Sequence, residues 1–266
     1  MKKIAFFDID GTLINVPTGL KEPTIKTRQA LNQFQQQGNL IFIASARGSL
    51  PFQCDDIHFD GFIGNDGHYI TYQDQVIIDD LFHEEEVNEM IDVFEKYDGR
   101  YLFSGHYNSW TTYWEDEYIQ KHSLMFAHTT KKPETLIETF KPKDIHAIAC
   151  CVLFKNVDDL HKTYEALKEN YTMILYETGL IRMDVYRKGF TKGTAVQYMY
   201  EKLNISKENT YAFGDGVNDM EMIELVGHGI AMGNAVEPLK QIADDFTLSV
   251  IEEGIADYFQ KHLLNK

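Results

Sequence analysis

The sequence predicts an α/β fold: a mostly parallel sheet flanked by helices, interrupted by an inserted α+β domain. Three observations predict it. Strand-like and helix-like patterns alternate over residues 1–80 and again over 186–266, and such alternation builds parallel sheets. Residues 81–185 lose that alternation and become rich in aromatic residues, so they read as a separate domain inside the first. Several apolar strands stop abruptly at short runs of Asp, Asn, Ser and Gly, and open α/β sheets bind ligands at the carboxyl ends of their strands.

The first strand, Ile4-Ala5-Phe6-Phe7, is apolar throughout and ends at Asp8-Ile9-Asp10-Gly11-Thr12. Residues two apart on a strand face the same way, so the two acids are expected together at its carboxyl end. Gly11 permits the sharp turn that must follow. Pro23-Thr24 opens a helix with Ile25, Leu31 and Phe34 apolar, and Gly38 closes it. Strands follow at 40–44 and 62–63, the second running into Gly64-Asn65-Asp66-Gly67. Residues 69–72 and 76–78 flank Gln73-Asp74-Gln75 as a hairpin.

A charged helix over 84–97 begins the insert, and Tyr101, Tyr107, Trp110, Tyr113 and Trp114 follow it. The longest apolar run, 145–154, reads as a central strand. A helix over 157–170 and strands at 172–176 and 180–185 complete the insert. From Lys192 the first pattern resumes, with Ala195, Val196, Met199 and Leu203 as a helical stripe. A strand over 211–213 ends at Gly214-Asp215; a helix over 220–226, a strand over 229–232 and a helix over 251–263 finish the chain.

Composition narrows the partners. With 266 residues, 44% hydrophobic and 25% charged, the chain has room for two domains and their cores. A formal net charge of −16 argues against nucleic acid or an anionic membrane as partner. Any anion site must then rely on local cations, a metal or backbone N–H groups. The odd cysteine count, with Cys150 and Cys151 adjacent and Cys54 apart, points to reduced thiols in the cytoplasm rather than a disulfide framework. The opening Met1-Lys2-Lys3 faintly mimics a secretion signal, but Asp8 and Asp10 interrupt it too early.

Four strand ends or helix starts carry candidate chemistry. Asp8 and Asp10, taken alone, suit an ordinary solvated turn as well as a site. Ser45-Ala46-Arg47 offers a hydroxyl and N–H groups to a phosphate oxygen, or a plain N-cap. Lys192 opens a helix, where its charge opposes the helix dipole; a surface lysine is the simpler reading. Gly214-Asp215-Gly216-Val217-Asn218-Asp219 sets acid and amide side chains among glycines at a strand end.

In chain order these four stretches resemble the four motifs of the haloacid dehalogenase superfamily. Met220-Glu221-Met222-Ile223, the run Gly229-Ile230-Ala231-Met232-Gly233-Asn234-Ala235 and residues 240–244 look like its Cof-type subfamily. The insert falls where members with a type IIB cap carry theirs. The resemblance implies a Rossmann-like core with a cap, and a cytoplasmic phosphoric monoester hydrolase. It would act on small phosphate monoesters, such as sugar phosphates or related metabolites, through an aspartyl-phosphate. It implies Asp8 as nucleophile and Asp10 as general acid/base. Mg²⁺ would sit on Asp8, the Asp10 carbonyl and Asp215. Ser45, Lys192, Asn218 and the N–H groups of Ile9 and Ala46 would hold the phosphoryl oxygens; Asp219 would support the Mg²⁺ shell or orient Lys192, and Arg47 would stand behind the groups that touch the substrate. Relatives usually carry Asn-Gly where this chain has Asp66-Gly67, Thr-Gly-Arg where it has Ser45-Ala46-Arg47, and often a larger polar residue at Gly216. Two other readings share this core: a phosphohexomutase, and a non-catalytic phosphoryl-ligand sensor. Trp110, Tyr113, Trp114 and Tyr107 read first as cap core and second as a surface for a sugar or ring.

Overall fold

The computed structural model describes residues 1–50, 54, 57–106, 108–126 and 135–264. The chain divides into two units, Met1–Ile78 with Phe190–Lys266, and Asp79–Gly189. The first carries an eight-stranded sheet. Its strands are β1 (Ile4–Phe7), β2 (Leu40–Ala44), β3 (Gly61–Gly64), β4 (Tyr69–Tyr72) and β5 (Gln75–Asp79). After the second unit come β12 (Thr210–Gly214), β13 (His228–Ala231) and β14 (Asp245–Phe246). The spatial order is β14-β13-β12-β1-β2-β3-β4-β5. Pairings from β14 to β3 are parallel, and β4 returns antiparallel to β3.

Alternation along these strands feeds two cores. Ala5, Phe7, Ile41, Ile43 and Phe213 pack with Ala30, Leu31 and Phe34 of α1 (Ile25–Gln36) and with Ile255 of α8 (Gly254–Tyr258). Ile4, Phe6, Phe42, Ala44 and Ala212 pack instead with Ala195, Val196 and Met199 of α5 (Lys192–Lys202) and with Met222 and Ile223 of α6 (Met220–Leu225). Burial on both faces explains why β1 and β2 read as unbroken apolar runs. It also fixes which way the next residues point. Asp8 shares the parity of Phe6, so its side chain emerges on the α5 side.

Three local details differ from or sharpen the sequence reading. The hairpin between β4 and β5 closes on Gln73 and Asp74, both left-handed (φ 50° and 61°), the backbone that matches strand twist. The last helix does not run from 251. A 3₁₀ turn spans Val250–Glu252, Glu253 turns left-handed (φ 65°), and α8 begins at Gly254. A side chain at Gly254 would collide with the Leu248 carbonyl, so this close approach sets the break. The short α7 (Glu237–Ile242) carries too little periodicity to stand out in the sequence.

The second unit has six strands, β6 (Arg100–Ser104), β7 (Asn108–Trp110), β8 (Thr135–Ile137), β9 (Ala149–Leu153), β10 (Tyr171–Tyr176) and β11 (Arg182–Arg187). Their order is β10-β11-β9-β6-β7-β8. Helices α2 (Glu84–Lys96) and α4 (Val157–Leu167) cover one face, and α3 (Glu117–Phe126) packs Ile119 on the other. The central strand is β9, but it starts at Ala149 rather than 145. Ile145, Ala147 and Ile148 are buried without being in the strand, after a 3₁₀ turn at Pro142–Asp144. Apolar character there reports burial, not ladder pairing. Trp110 is buried, Tyr113 sits edge-on to Tyr101 at 5.1 Å, and Trp114 packs with Ile119, so these three serve the unit's own core. Tyr107 lies outside the described residues. Cys54, Cys150 and Cys151 are buried, and none of the three is in a disulfide. Among the described residues no helix is long and apolar enough to cross a membrane.

Candidate active site

The parallel register aligns three strand ends. Phe7 of β1 is level with Ile43 of β2 and Phe213 of β12. The residues just beyond them, Asp8, Ser45 and Asp215, therefore leave the sheet along one edge. Asp8 stays tied to that edge by its N–H, which donates to the Phe213 carbonyl at 3.1 Å.

Lys192 reaches the same place from the first turn of α5, whose start Thr191 caps by accepting the Thr194 N–H. Its ammonium donates to Asp8 Oδ1 at 2.9 Å and to Asp219 Oδ1 at 2.7 Å. Only 2% of the lysine is exposed, so it is no surface residue. Asp219 is fully buried and pins its own loop: its Oδ2 accepts the N–H groups of Asp215 and Gly216, each at 2.9 Å. Gly214 has to be a glycine here, because a Cβ would lie 2.6 Å from that of Asp219.

Asp215 is held from three sides. Thr12 Oγ1 donates to its Oδ1 at 3.4 Å, and Asn234 Nδ2 donates to its Oδ2 at 3.2 Å. Gly11, left-handed at φ 92°, makes the third side; any side chain there would overlap the Asp215 carboxylate. Asn234 also donates to the Gly11 carbonyl at 2.8 Å and accepts the Val250 N–H at 2.8 Å. Thr12 and Asn234 were not assigned roles from sequence. Their visible signal is position: Thr12 closes the first acidic stretch, and Asn234 follows β13 on the edge that carries the others.

The two acids of the opening stretch part company. β1 ends at Phe7, so strand periodicity does not extend to Asp10. Asp10 lies beyond the strand with half its side chain exposed, and Arg47 grips it: Nε to Oδ2 at 2.6 Å, Nη2 to Oδ1 at 2.7 Å. Ser45 is buried. Its N–H donates to the Ile63 carbonyl, and its Oγ accepts the Arg47 N–H at 3.2 Å, leaving the hydroxyl proton to donate elsewhere. Ile9 is buried and Ala46 exposed, each past the end of its strand; Asn218 is exposed on the Val217–Asp219 turn. Asp66 is left-handed (φ 49°) and buried, and neither carboxyl oxygen finds a hydrogen-bond partner. Its N–H donates to the Ser45 carbonyl, which ties the β3 end to the β2 end.

Oxygens of Asp8, Asp215 and Asp219 lie within 4.8 Å of one another. Lys192 is the cation bonded to two of them, so the cluster keeps excess negative charge. Burial pushes the Asp8 carboxyl up to about 8; Lys192 opposes this, and Asp219 and Asp215 add to it. Burial and Asp219 push Asp215 up to about 6. Burial also raises Asp66, against the pull of Lys192. Burial would lower Lys192, but Asp219, Asp8 and Asp66 outweigh it and raise the ammonium. Crowded, under-neutralised carboxylates with an all-oxygen donor set fit a hard divalent cation.

A pH dependence follows for the metal-free protein. Asp8 and Asp215 are raised from 3.8, so as pH rises the unfolded chain releases these protons before the folded protein does. Their contribution to stability is therefore complete at low pH and is lost by about pH 8. Melting in chelator at about pH 5 and about pH 8 should show a decline that Asp8→Asn flattens. Equal slopes for the two proteins would refute the assignment.

The chain matches the haloacid dehalogenase-like hydrolase family over residues 5–259. It is 32% identical over 258 residues to YkrA of Bacillus subtilis (strain 168), provisionally named a phosphatase, across 96% of this chain and 95% of that one. It is 24% identical over 259 residues to the 5-amino-6-(5-phospho-D-ribitylamino)uracil phosphatase YcsE of the same organism, across 96% and 93% of the two chains. The solved structure of the subclass IIB sugar phosphatase BT4131 superposes with a TM-score of 0.80 at 26% identity, over 98% of each chain. Agreement over nearly the whole length, insert included, leaves one conclusion: the chain belongs to the haloacid dehalogenase-like hydrolase family, among its Cof-type, subclass IIB phosphatases.

Proposed function

We propose that the protein hydrolyses small phosphate monoesters, sugar phosphates or related metabolites, through an aspartyl-phosphate on Asp8. The carrying observation is the convergence of Asp8, Lys192, Asp215 and Asp219 on one edge of the sheet. Support for the substrate class comes from the sugar phosphatase and the ribitylaminouracil phosphatase that the chain resembles. Buried cysteines, none of them in a disulfide, suit a reducing, cytoplasmic setting.

In the first step an Asp8 carboxylate oxygen bonds to phosphorus as the ester P–O bond breaks. Lys192 holds Oδ1, which leaves the other oxygen to attack. Asp10 gives its proton to the departing alkoxide. In the second step Asp10 takes a proton from water, whose oxygen attacks phosphorus and frees Asp8. The Ser45 hydroxyl, Asn218, Lys192 and the N–H groups of Ile9 and Ala46 bind the phosphoryl oxygens. Asp219 keeps Lys192 pointed at the site. Mg²⁺ on Asp8, Asp215 and the Asp10 carbonyl would neutralise charge between carboxylate and phosphate.

Phosphate release from a panel of sugar phosphates, nucleotides and cofactor phosphates tests this reading. Chelator should abolish release, Mg²⁺ should restore it, and Ca²⁺ with its larger, looser shell should inhibit. Isomerised sugar phosphate without free phosphate would instead mean a mutase. Full activity in excess chelator would remove the metal from the reading.

A further inference from the structure

We propose that Arg47 is the positioning residue of the acid–base step: its guanidinium holds the Asp10 carboxyl in the orientation from which it exchanges protons with leaving group and water. This rests on the reading of Asp10 as general acid/base. Asp10 sits outside the ladder of β1, and about half its side chain meets solvent. A short carboxyl so placed has rotamer freedom, whereas proton transfer in a preorganised site tolerates only about 0.5 Å of misplacement.

Arg47 removes that freedom. Nε and Nη2 take the two Asp10 oxygens separately, at 2.6 and 2.7 Å, so the fork fixes the carboxyl plane as well as its location. The anchor is itself restrained: its N–H donates to Ser45 Oγ at 3.2 Å, and its carbonyl accepts the Asn65 N–H at 3.0 Å. Its side chain is only 18% exposed. Asp10 is thus braced, through one arginine, against the ends of β2 and β3. A carboxylate has about four acceptor positions, and the fork uses two, so positions for the travelling proton remain. A guanidinium cannot itself give up a proton, so the proton that moves in this step is the one on Asp10. A lysine supplies charge but no fork.

The test compares kcat/KM of wild type, Arg47→Ala and Arg47→Lys, loaded with Mg²⁺, on p-nitrophenyl phosphate and phenyl phosphate. Nitrophenolate leaves without a proton, whereas phenolate benefits from one. Arg47→Ala should cost about 10²-fold or more on phenyl phosphate and roughly tenfold less than that on p-nitrophenyl phosphate. Added guanidinium ion should recover part of the loss on phenyl phosphate, and Arg47→Lys should retain most of it. An equal loss on both esters would overturn the inference in favour of a direct grip on the phosphoryl group. A gain in rate would mean that the pair parks Asp10, and no change would mean that it is idle; either overturns the proposal. Wild-type protein inactive on both esters and on the wider panel would instead overturn the phosphatase reading, and this inference with it.

Discussion

Asp8→Asn should abolish turnover of every ester, by about 10⁴-fold or more, because no phosphoenzyme can form without that carboxylate. Its Lys192 partner keeps Asp219, so the folded site should survive the change. Asp10→Asn should behave differently. Asparagine keeps the backbone carbonyl and the side-chain shape, so substrate binding should persist. The acid matters little for a good leaving group, but the base is still required to hydrolyse the intermediate. The expected result is a burst of p-nitrophenol followed by turnover slowed about 10²–10⁴-fold, with phosphate trapped on Asp8. Rapid quench and mass measurement should find the adduct on the intact chain. Equal residual rates in the two variants, with neither burst nor adduct, would mean that the roles are wrongly divided.

Lys192→Ala should damage rate and fold together. The ammonium is bonded to two carboxylates and is 2% exposed, while Asp219 is fully buried. Removing one partner of such a buried pair typically costs about 3–5 kcal/mol, since the charge left behind has no water. Loss of a preorganised contact to the phosphoryl group should lower kcat by about 10²–10³-fold as well. Thermal melting beside single-turnover kinetics separates the two effects. A variant that melts like wild type would show that Lys192 does not hold Asp219 in place. A stable, fully active variant would remove the lysine from the mechanism.

Much of this architecture could be read from the chain. Helix packing on both faces requires β1 and β2 to be apolar at every position, and that requirement is visible in the residues. The abrupt stops at Asp8, Ser45 and Gly214-Asp215 mark the places where unbroken apolar runs give way to polar residues as the chain leaves the sheet. Short elements were harder. β7, β8 and α7 span three to six residues, too few for a period to show. The run 145–148 was misleading because burial and strand pairing draw on the same residue types.

By itself, then, the sequence determined the alternation of elements, the place of the insert and the chemical kinds of side chain at each strand end. All of these depend on local pattern and near neighbours. Tertiary structure alone decided the partners. Lys192 is 184 residues from Asp8 and 27 from Asp219, and no local signal could distinguish this buried triangle from a surface lysine. Gly11 serves a tight turn in either view, but only folding brings Asp215 against it. Asp8 and Asp10, one residue apart, end on different cations because the strand stops at Phe7. Charge pairing across such separations depends on which strand ends the parallel register sets level, and a chain fixes that only when its whole sheet has formed.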